Sequence, residues 1–423
     1  MEFVDKIITQ LENGQHEEAL KGYNIVLNEG TNEERFTLGE ELLHIGFIAE
    51  AKALFEKLLL AYPEEGELLV LFAEACMELG EEEEAILALD KINENDPSYP
   101  QGLLLLADLY QMDGLYEVSE QKLLKAKAAL PDEVIIDFAL GELYLEEGKF
   151  LEAIRSYHAV LPKETVIAGV NVHQRLGEAL SAGGSFEEAI PHYEKALEEK
   201  LEINTLFNYA FTALQAGYNK TAIEKFNELK ALDPEYHSLY LYLAKAYEQE
   251  EEIDQSFETI KAGINLDEYN KELYFYGGKL ALKLGVEEEA ERLLREALAL
   301  DPEFLEAALT LNKVLIHQEK YEEVLEICEL IQSNGLEEPQ LIWDEAHALW
   351  HLEQYSQALN KYEAAYNYFK NHSEFLSDYG YFLIEEGKRD AAVEIFTRLQ
   401  QMDPANVEFE EVLQRLTDDF NHE

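Results

Sequence analysis

A period of 34 residues constrains this chain more than any other feature of its sequence. The prolines form two series whose spacing is 34 residues or a multiple of it: Pro63, Pro97 and Pro131, followed by Pro234, Pro302 and Pro404. A unit this short cannot bury an apolar face alone, so it has to pack against copies of itself. The period therefore predicts a row of like units, and not the separate globular domains that a chain of 423 residues usually forms.

The stretch from Lys271 to Phe304 shows the composition of one unit. Its first half places small and aromatic residues on one face at helical spacing, and Gly285 ends that helix. Glu287 to Glu289 occupy the first turn of a second helix, where acidic residues suit the helix dipole. Asp301-Pro302 ends the second helix, because the residue before a proline avoids helical angles. Each unit is therefore predicted to be a helical hairpin.

Two series of small residues keep the same period. One lies on the second helix of the units: Ala51, Ala85, Ser119 and Ala153, and later Ala222, Ser256, Ala290 and Val324. The other lies on the first helix: Gly39, Ala73, Ala107 and Gly141, and later Ala210, Ala244 and Gly278. Small residues allow two helices to cross closely. At these positions the chain resembles the tetratricopeptide repeat family, whose unit is a 34-residue helix-turn-helix.

The resemblance covers nearly the whole chain and is closest to long cytoplasmic bacterial proteins of this family. It implies an all-α fold, a right-handed α-solenoid of about twelve helical hairpins with a C-terminal capping helix. The first helix of each hairpin would line the concave side, where members of the family usually hold their ligands. We expect the segment from Val407 to Phe420 to form the final amphipathic helix, with a charged outer side.

The period is interrupted once, and the interruption suggests a division of the chain. A helix ends early at Leu161-Pro162, and the next unit contains the loop Ser181 to Ser185. We therefore predict an N-terminal arm (1–164), a C-terminal arm (165–406) and a capping helix (407–423), with fewer helix contacts at the joint. The alternative is an irregularity that the solenoid tolerates without moving.

The charge of the chain limits its partners. There are 88 acidic against 33 basic residues, a formal net charge of −55, which disfavours nucleic acid and anionic membranes and favours basic partners. The N-terminus lacks a signal-peptide pattern, and no stretch approaches the length of a membrane span. Cys76 and Cys328 lie on apolar helix faces and are predicted to be buried thiols. The simplest interpretation is a cytoplasmic protein with no membrane insertion.

A series of charged residues follows the small residue of the first helices and changes sign along the chain. Its first part is acidic: Glu40, Glu74, Asp108, Glu142 and Glu178. After Phe211, its second part is basic: Lys245, Lys279, Lys313 and His347. Four residues earlier the same helices carry mostly apolar residues, so an apolar stripe lies beside the charged one. This pattern suits an extended or helical peptide, although a solvated face with a charge preference would look the same.

The family's clamp for a terminal carboxylate uses Lys and Asn at these places, and the acids of the N-terminal half do not match it. A second candidate feature is the helix that holds both tryptophans. Trp343, His347 and Trp350 share one side of it, and we expect Tyr381 and Lys313 to flank them as partner-binding residues. The alternative is that the tryptophans pack in the core. His347 and His351 have a spacing that can chelate a metal, but no third ligand is evident, so we expect no metal site.

The sequence gives little support for catalysis. It contains no glycine-rich phosphate loop, and the connections between helices are too short to build a conventional active site. We therefore expect no catalytic residues and no cofactor. The predicted function is a scaffold or adaptor that binds other proteins or peptide segments in its concave groove. Delivery of a client to a chaperone or protease is a related role, and a peptide- or ligand-responsive regulator is the alternative. The oligomeric state stays open.

Overall fold

The computed structural model describes residues 2–333, 335 and 338–418, and these divide into two compact units at Ala216 and Gly217. The first unit contains thirteen helices in its described part: α1 Glu2–Glu12, α2 His16–Glu29, α3 Asn32–His44, α4 Ile48–Leu59, α5 Gly66–Glu78, α6 Glu82–Leu89, α7 Tyr99–Met112, α8 Tyr116–Ala129, α9 Val134–Glu146, α10 Phe150–Val160, α11 Val172–Ala182, α12 Phe186–Glu199 and α13 Ile203–Gln215.

The second unit contains twelve helices among its described residues: α14 Asn219–Leu232, α15 Ser238–Gln249, α16 Ile253–Leu266, α17 Lys271–Lys283, α18 Glu287–Leu300, α19 Leu305–His317, α20 Tyr321–Ser333, α21 Pro339–His351, α22 Tyr355–Phe369, α23 Ser373–Glu385, α24 Arg389–Met402 and α25 Val407–Asp418. The predicted all-α solenoid of helical hairpins with a final helix is confirmed. The last helix packs on α24 through the buried residues Phe409 and Val412. Residues 419–423 of the predicted cap lie outside the described residues.

In most of the hairpins a large side chain fills the space above a small residue sixteen positions earlier. A Cβ added to Gly39 would lie 2.6 Å from the Phe55 ring, and one added to Gly278 would lie 2.8 Å from Leu294. The same spacing relates further pairs of buried residues: Ala107 and Leu123, Ala210 and Phe226, Ala244 and Ile260, and Ala346 and Tyr362. The small residues found in the sequence are therefore the points at which the two helices of a hairpin approach most closely.

A second periodic position lies in the turn inside the hairpins, where the backbone has a positive φ. Gly285 occupies it with φ +72°, and Gly387 does so three hairpins later, also with φ +72°. In the two hairpins between them, this position is Glu319 with φ 59° and Glu353 with φ 58°. An L-amino acid is strained in this conformation, whereas glycine is not. The turn geometry is therefore set by the repeat, and it is kept where glycine is missing.

A small β-hairpin between α10 and α11 departs from the predicted all-α pattern. Its strands, β1 Val166–Ile167 and β2 Val170–Asn171, pair antiparallel across the two-residue turn Ala168-Gly169, and both turn residues have positive φ. This repeat is two residues longer than the period of 34, and the extra residues form this turn. Helices α10 and α11 pack against each other as closely as helices do at other boundaries between hairpins. The prediction of fewer helix contacts at this joint is therefore wrong. The division into arms near residue 164 stays a prediction.

None of the helices in the described part of the chain has both the length and the apolar character that crossing a bilayer requires. The free thiols of Cys76 and Cys328 are buried, as predicted.

The pairing of small and large residues predicts a specific non-additivity. Gly39→Ala adds a methyl group that collides with the Phe55 ring, and overpacking of this kind costs about 1–3 kcal/mol. Phe55→Leu removes the ring atoms and makes room. In chemical denaturation, we expect the double variant to be more stable than the sum of the single effects by about 1 kcal/mol or more. Additive effects would contradict this account, and Gly39→Ala combined with the distant Phe226→Leu should be additive.

The strained turns predict a stabilising substitution. Glu319→Gly should raise the free energy of unfolding by about 0.5–1 kcal/mol, because glycine adopts the left-handed conformation without the steric cost of a side chain. The matched control is Glu326→Gly in the middle of α20, which should lower stability by about 1 kcal/mol. Thermal or denaturant unfolding of the two variants measures both. Destabilisation by Glu319→Gly would show that the turn is not strained.

Candidate functional site

The odd-numbered helices form one face within each unit, because neighbouring members contact each other, as α5 and α9 do with α7, and α19 and α23 with α21. We call this the first-helix face. The charged series predicted from the sequence lies on these helices. The even-numbered helices lie behind them, and the buried small residues separate the two layers.

Three lysines lie along this face of the second unit, and two of them, Lys245 and Lys279, lie beside aromatic rings. The Nζ atom of Lys245 is 5.2 Å from the ring centre of Tyr242 and 5.8 Å from that of Tyr276. The Nζ atom of Lys279 is 5.6 Å from the Phe275 ring centre and 5.7 Å from that of Tyr276. Cation–π contacts of this length stabilise an ammonium group without neutralising it. We define the basic stripe as these lysines, Lys313 and the three rings.

The lysines of the basic stripe differ from their neighbours in having no acidic partner. Among the described residues, no carboxylate oxygen lies within 4.0 Å of the Nζ atoms of Lys245, Lys279 and Lys313. Other lysines of the same repeats are paired: the Nζ atom of Lys320 lies 2.7 Å from Glu291, and that of Lys283 lies 2.5 Å from Glu248. In a chain of net charge −55, three consecutive hairpins therefore have, at the same position, a lysine without an ion pair.

The acidic series of the first unit is less uniform than the sequence suggests. Burial raises the pKa of Glu40, Glu74 and Asp108. The last two members share a cation that the sequence analysis missed, because Arg175 lies 3.0 Å from Glu142 and 2.9 Å from Glu178. These two carboxylates therefore share one positive charge within the chain.

A cavity of about 520 Å³ opens on the first-helix face between α19, α21 and α23. Three predicted residues, Lys313, Trp343 and His347, line it, and the acids Asp344, Glu374 and Asp378 form much of its polar wall. We call it the aromatic pocket. It brings an ammonium, an indole and an imidazole together with three carboxyl groups, so it suits an aromatic side chain better than an anionic one.

Asp378 organises the aromatic pocket. Its carboxylate accepts hydrogen bonds from Trp343 Nε1 at 2.7 Å and from the Tyr362 hydroxyl at 2.7 Å, and the His347 Nδ1 atom lies 3.0 Å away. Burial alone would raise the pKa of Asp378, but the hydrogen bonds from His347, Trp343 and Tyr362 outweigh burial and hold the pKa below its usual value. The carboxylate therefore stays charged and fixes the indole and the imidazole.

Both tryptophans pack against the core, which is the alternative that the sequence left open, and their role in partner binding stays a prediction. Trp343 packs edge-on against Phe375, with ring centres 5.3 Å apart, and Trp350 packs edge-on against Phe382 at 5.8 Å. Both lie against the core of the last hairpins. Trp350 donates to Glu385 outside the pocket lining.

Tyr381 also departs from the sequence prediction that it flanks the tryptophans. Its ring packs against Phe396 and its hydroxyl donates to Glu408, so it belongs to the contact with the last helix. Lys313 does line the pocket beside Trp343, as predicted.

The sequence analysis missed Asp378, although the signal was present. Asp344 and Asp378 are one period apart, both two positions before the small residue of their helices. Asp344 is buried, accepts hydrogen bonds from Gln340 at 2.9 Å and Asn312 at 3.1 Å, and has a pKa raised by burial. An acid that recurs at a predicted core position indicates a buried hydrogen-bond network.

One group in the described chain has the spacing of a metal site without being a convincing one. Ligand atoms of Cys76, Glu81 and Glu84 lie within 4.8 Å of one another. The Nζ atom of Lys52 binds both glutamates, at 2.7 Å from Glu84, and burial raises the pKa of the Cys76 thiol to about 12. The cluster is therefore occupied by an ammonium group.

Comparison with known proteins identifies the family. The chain matches the YpiA-like tetratricopeptide repeats at residues 111–165 and the YpiA-like C-terminal tetratricopeptide repeats at 339–406, with further tetratricopeptide repeat matches at 46–109 and 170–202. It is 44% identical over 418 residues to the TPR repeat-containing protein YpiA of Bacillus subtilis, and the match covers 99% of both chains. The chain belongs to the YpiA-like tetratricopeptide repeat family.

The chain is also similar to more distant proteins. The chain is 23% identical over 260 residues to the protein CTR9 homolog of Arabidopsis thaliana, which covers 59% of this chain and 24% of that protein. A tetratricopeptide repeat protein from Parabacteroides merdae is 17% identical, with a TM-score of 0.43 over 59% of this chain and 99% of the other. Membership of the YpiA-like family makes the chain a repeat scaffold of the kind used for protein interactions.

The Asp378 network predicts a large effect of one isosteric change. Asp378→Asn removes the charge that the Trp343, His347 and Tyr362 donors share. We expect it to lower stability by about 1.5–3 kcal/mol, the range for hydrogen bonds to charged groups. Tryptophan fluorescence during denaturation measures this. The control is Glu385→Gln, whose partner Trp350 is more exposed, and it should change stability by about 0.5 kcal/mol or less. Equal effects would contradict the organising role of Asp378.

Proposed function

We propose that this protein is a cytoplasmic, non-catalytic scaffold that binds an acidic segment of a partner protein along the basic stripe. The proposal rests on one observation. Lys245, Lys279 and Lys313 form no ion pair within 4.0 Å among the described residues, and each lies in one of three consecutive hairpins. The cytoplasmic location is supported by the bacterial relative and by the two buried cysteines, which are unpaired.

The electrostatics of the chain explain why such a site would be selective. The net charge of −55 repels acidic proteins at long range, so non-specific association with them is suppressed. At short range no ammonium of the stripe forms an ion pair within 4.0 Å among the described residues, and the adjacent Tyr242, Phe275 and Tyr276 rings offer apolar contact. Asp344, the acid that acts on Lys313, is buried and accepts hydrogen bonds from Gln340 and Asn312. A segment with carboxylates at matching intervals would gain three charge pairs, whereas a diffuse acidic surface would gain fewer.

The aromatic pocket would extend the same binding surface. Lys313 belongs to both the stripe and the pocket lining, so a segment that follows the lysines reaches Trp343 and His347 next. The indole is held by Asp378 and is therefore placed before a partner arrives, which reduces the entropy cost of binding. We propose that an aromatic side chain of the partner enters this pocket, because three acids line it beside the one lysine.

A second interaction is favoured by the acidic residues of the first unit. Among the described residues, Glu40, Glu74 and Asp108 form no ion pair like the one that Glu142 and Glu178 share with Arg175, and we propose that they attract a basic segment. The two surfaces would then sort partners by charge. A peptide-responsive regulator is the alternative; it predicts a large change of shape on binding a short peptide, whereas the scaffold predicts none.

The proposal predicts which substitutions abolish binding. Partners captured from a bacterial lysate are identified with the unmodified chain, and their affinities are measured against a triple variant in which Lys245, Lys279 and Lys313 become Glu. The variant should bind acidic partners at least tenfold more weakly, and the loss should shrink as salt is added, because ions screen these charges.

The matched control removes net charge as an explanation. Changing Lys21, Lys57 and Lys125 to Glu alters the total charge by the same amount on exposed positions of even-numbered helices. Acidic partners should bind this control within about twofold of the unmodified chain. An equal loss in both triple variants would mean that net charge governs binding and that the stripe is a solvated surface.

A further inference from the structure

Three of the histidines of the chain lie together where α10, α11 and α12 meet. The Nδ1 atoms of His173 and His192 are 2.8 Å apart, which is a hydrogen bond between two imidazole rings. The ring centre of His158 lies 6.1 Å from that of His192. We call these residues the histidine cluster. It lies next to the β-hairpin that interrupts the repeat, since His173 is the second residue of α11.

The surroundings of His173 and His192 favour their neutral forms. His173 is buried, and burial lowers its pKa. Burial, together with the neighbouring His173, His158 and Lys195, lowers the pKa of His192 to about 4. A neutral imidazole is the form that binds a transition metal ion, because the ligand nitrogen must keep its lone pair.

We infer that the histidine cluster binds a divalent transition metal ion of the zinc type, with the Nδ1 atoms of His173 and His192 as its first two ligands and His158 as its third. Imidazole nitrogens select zinc, nickel and copper over magnesium and calcium, which prefer oxygen ligands. This site is independent of the proposed binding surfaces, because none of its residues belongs to the basic stripe or the aromatic pocket.

The histidine pair has to open slightly, and His158 has to rotate towards it, because the ligand atoms of the three residues do not all lie within 4.8 Å of one another. Zn–N bonds of about 2.0–2.1 Å at a tetrahedral angle place two ligand nitrogens about 3.4 Å apart, so the pair has to open by about 0.6 Å from its 2.8 Å separation. The imidazole that donates the hydrogen bond moves its proton from Nδ1 to Nε2, so no net charge is lost. The side chain of His158 is exposed and lies in the last turn of α10, where it can rotate towards the ion.

An ion at this site would join three consecutive helices across the irregular part of the repeat. The β-hairpin β1–β2 separates α10 from α11, and the ion would connect their ends directly through His158 and His173. Because a ligand that binds only the folded state stabilises it, zinc should raise the melting temperature of the chain.

Metal titration of the full-length chain tests the inference. Metal-free protein is titrated with zinc chloride in the presence of millimolar magnesium, which occupies the many surface carboxylates. We expect one zinc ion per chain, and His192→Gln should weaken binding at least tenfold while keeping a hydrogen-bond partner for His173. The exposed His237→Gln, in the second unit, is the matched control and should leave affinity unchanged. Cobalt substitution should give the visible absorption of a tetrahedral site in the unmodified chain alone.

Several outcomes would overturn the site. Zinc binding that magnesium abolishes would come from carboxylates, and equal zinc affinity of the unmodified chain and His192→Gln would exclude this imidazole. Unchanged affinity in His158→Ala would overturn its assignment as the third ligand. His173→Gln provides an independent variant on another helix, and circular dichroism without metal checks that each variant is folded. None of these outcomes affects the lysine-dependent binding proposed above.

Discussion

The close crossing of the two helices in each hairpin is the contact on which the rest of the structure depends. A small residue on the first helix receives a large side chain sixteen positions later, as Gly39 receives Phe55 and Gly278 receives Leu294. One hairpin reverses the sizes: Asn312 stands in the small position, and its partner is the smaller Cys328, with Nδ2 and Sγ 3.4 Å apart. The volume of the pair is thus kept where its members change. Because this contact fixes each hairpin, the outward positions of the first helices are free to vary.

The outward positions show how the chain uses that freedom. In the first unit Glu142 and Glu178 share the single charge of Arg175, and burial raises the pKa of Glu40, Glu74 and Asp108 before them. In the second unit Lys245 and Lys279 contact rings instead of acids, in a chain where acids outnumber bases by 88 to 33. Acids near the stripe are bound to other groups: Glu248 pairs with Lys283, and Asp344 accepts hydrogen bonds from Gln340 and Asn312. The proposed function follows from this choice of partners more than from the lysines themselves.

The sequence predicts the hairpins, their number and the small residues at the crossings, because packing in a repeat is local and recurs at a fixed period. It does not predict the β-hairpin at Val166, since two extra residues can be absorbed in many ways. The tryptophans illustrate a second limit: helical spacing places Trp343 and Trp350 on one side but does not say what covers them. The hub at Asp378 joins residues from three helices, and only its 34-residue spacing from Asp344 is visible beforehand. The period of the sequence does not predict the side-chain interactions between neighbouring hairpins.

The central claim is that the lysines of the basic stripe are held available for an acidic partner. Lysine labelling with a limiting acetylating reagent, read by mass spectrometry, tests this claim residue by residue in the folded chain with and without a captured acidic partner. Binding should protect Lys245, Lys279 and Lys313 severalfold, while Lys283 and Lys320, which are paired with Glu248 and Glu291, should keep the same reactivity. Protection spread evenly over all five lysines, or confined to the paired ones, would contradict the account.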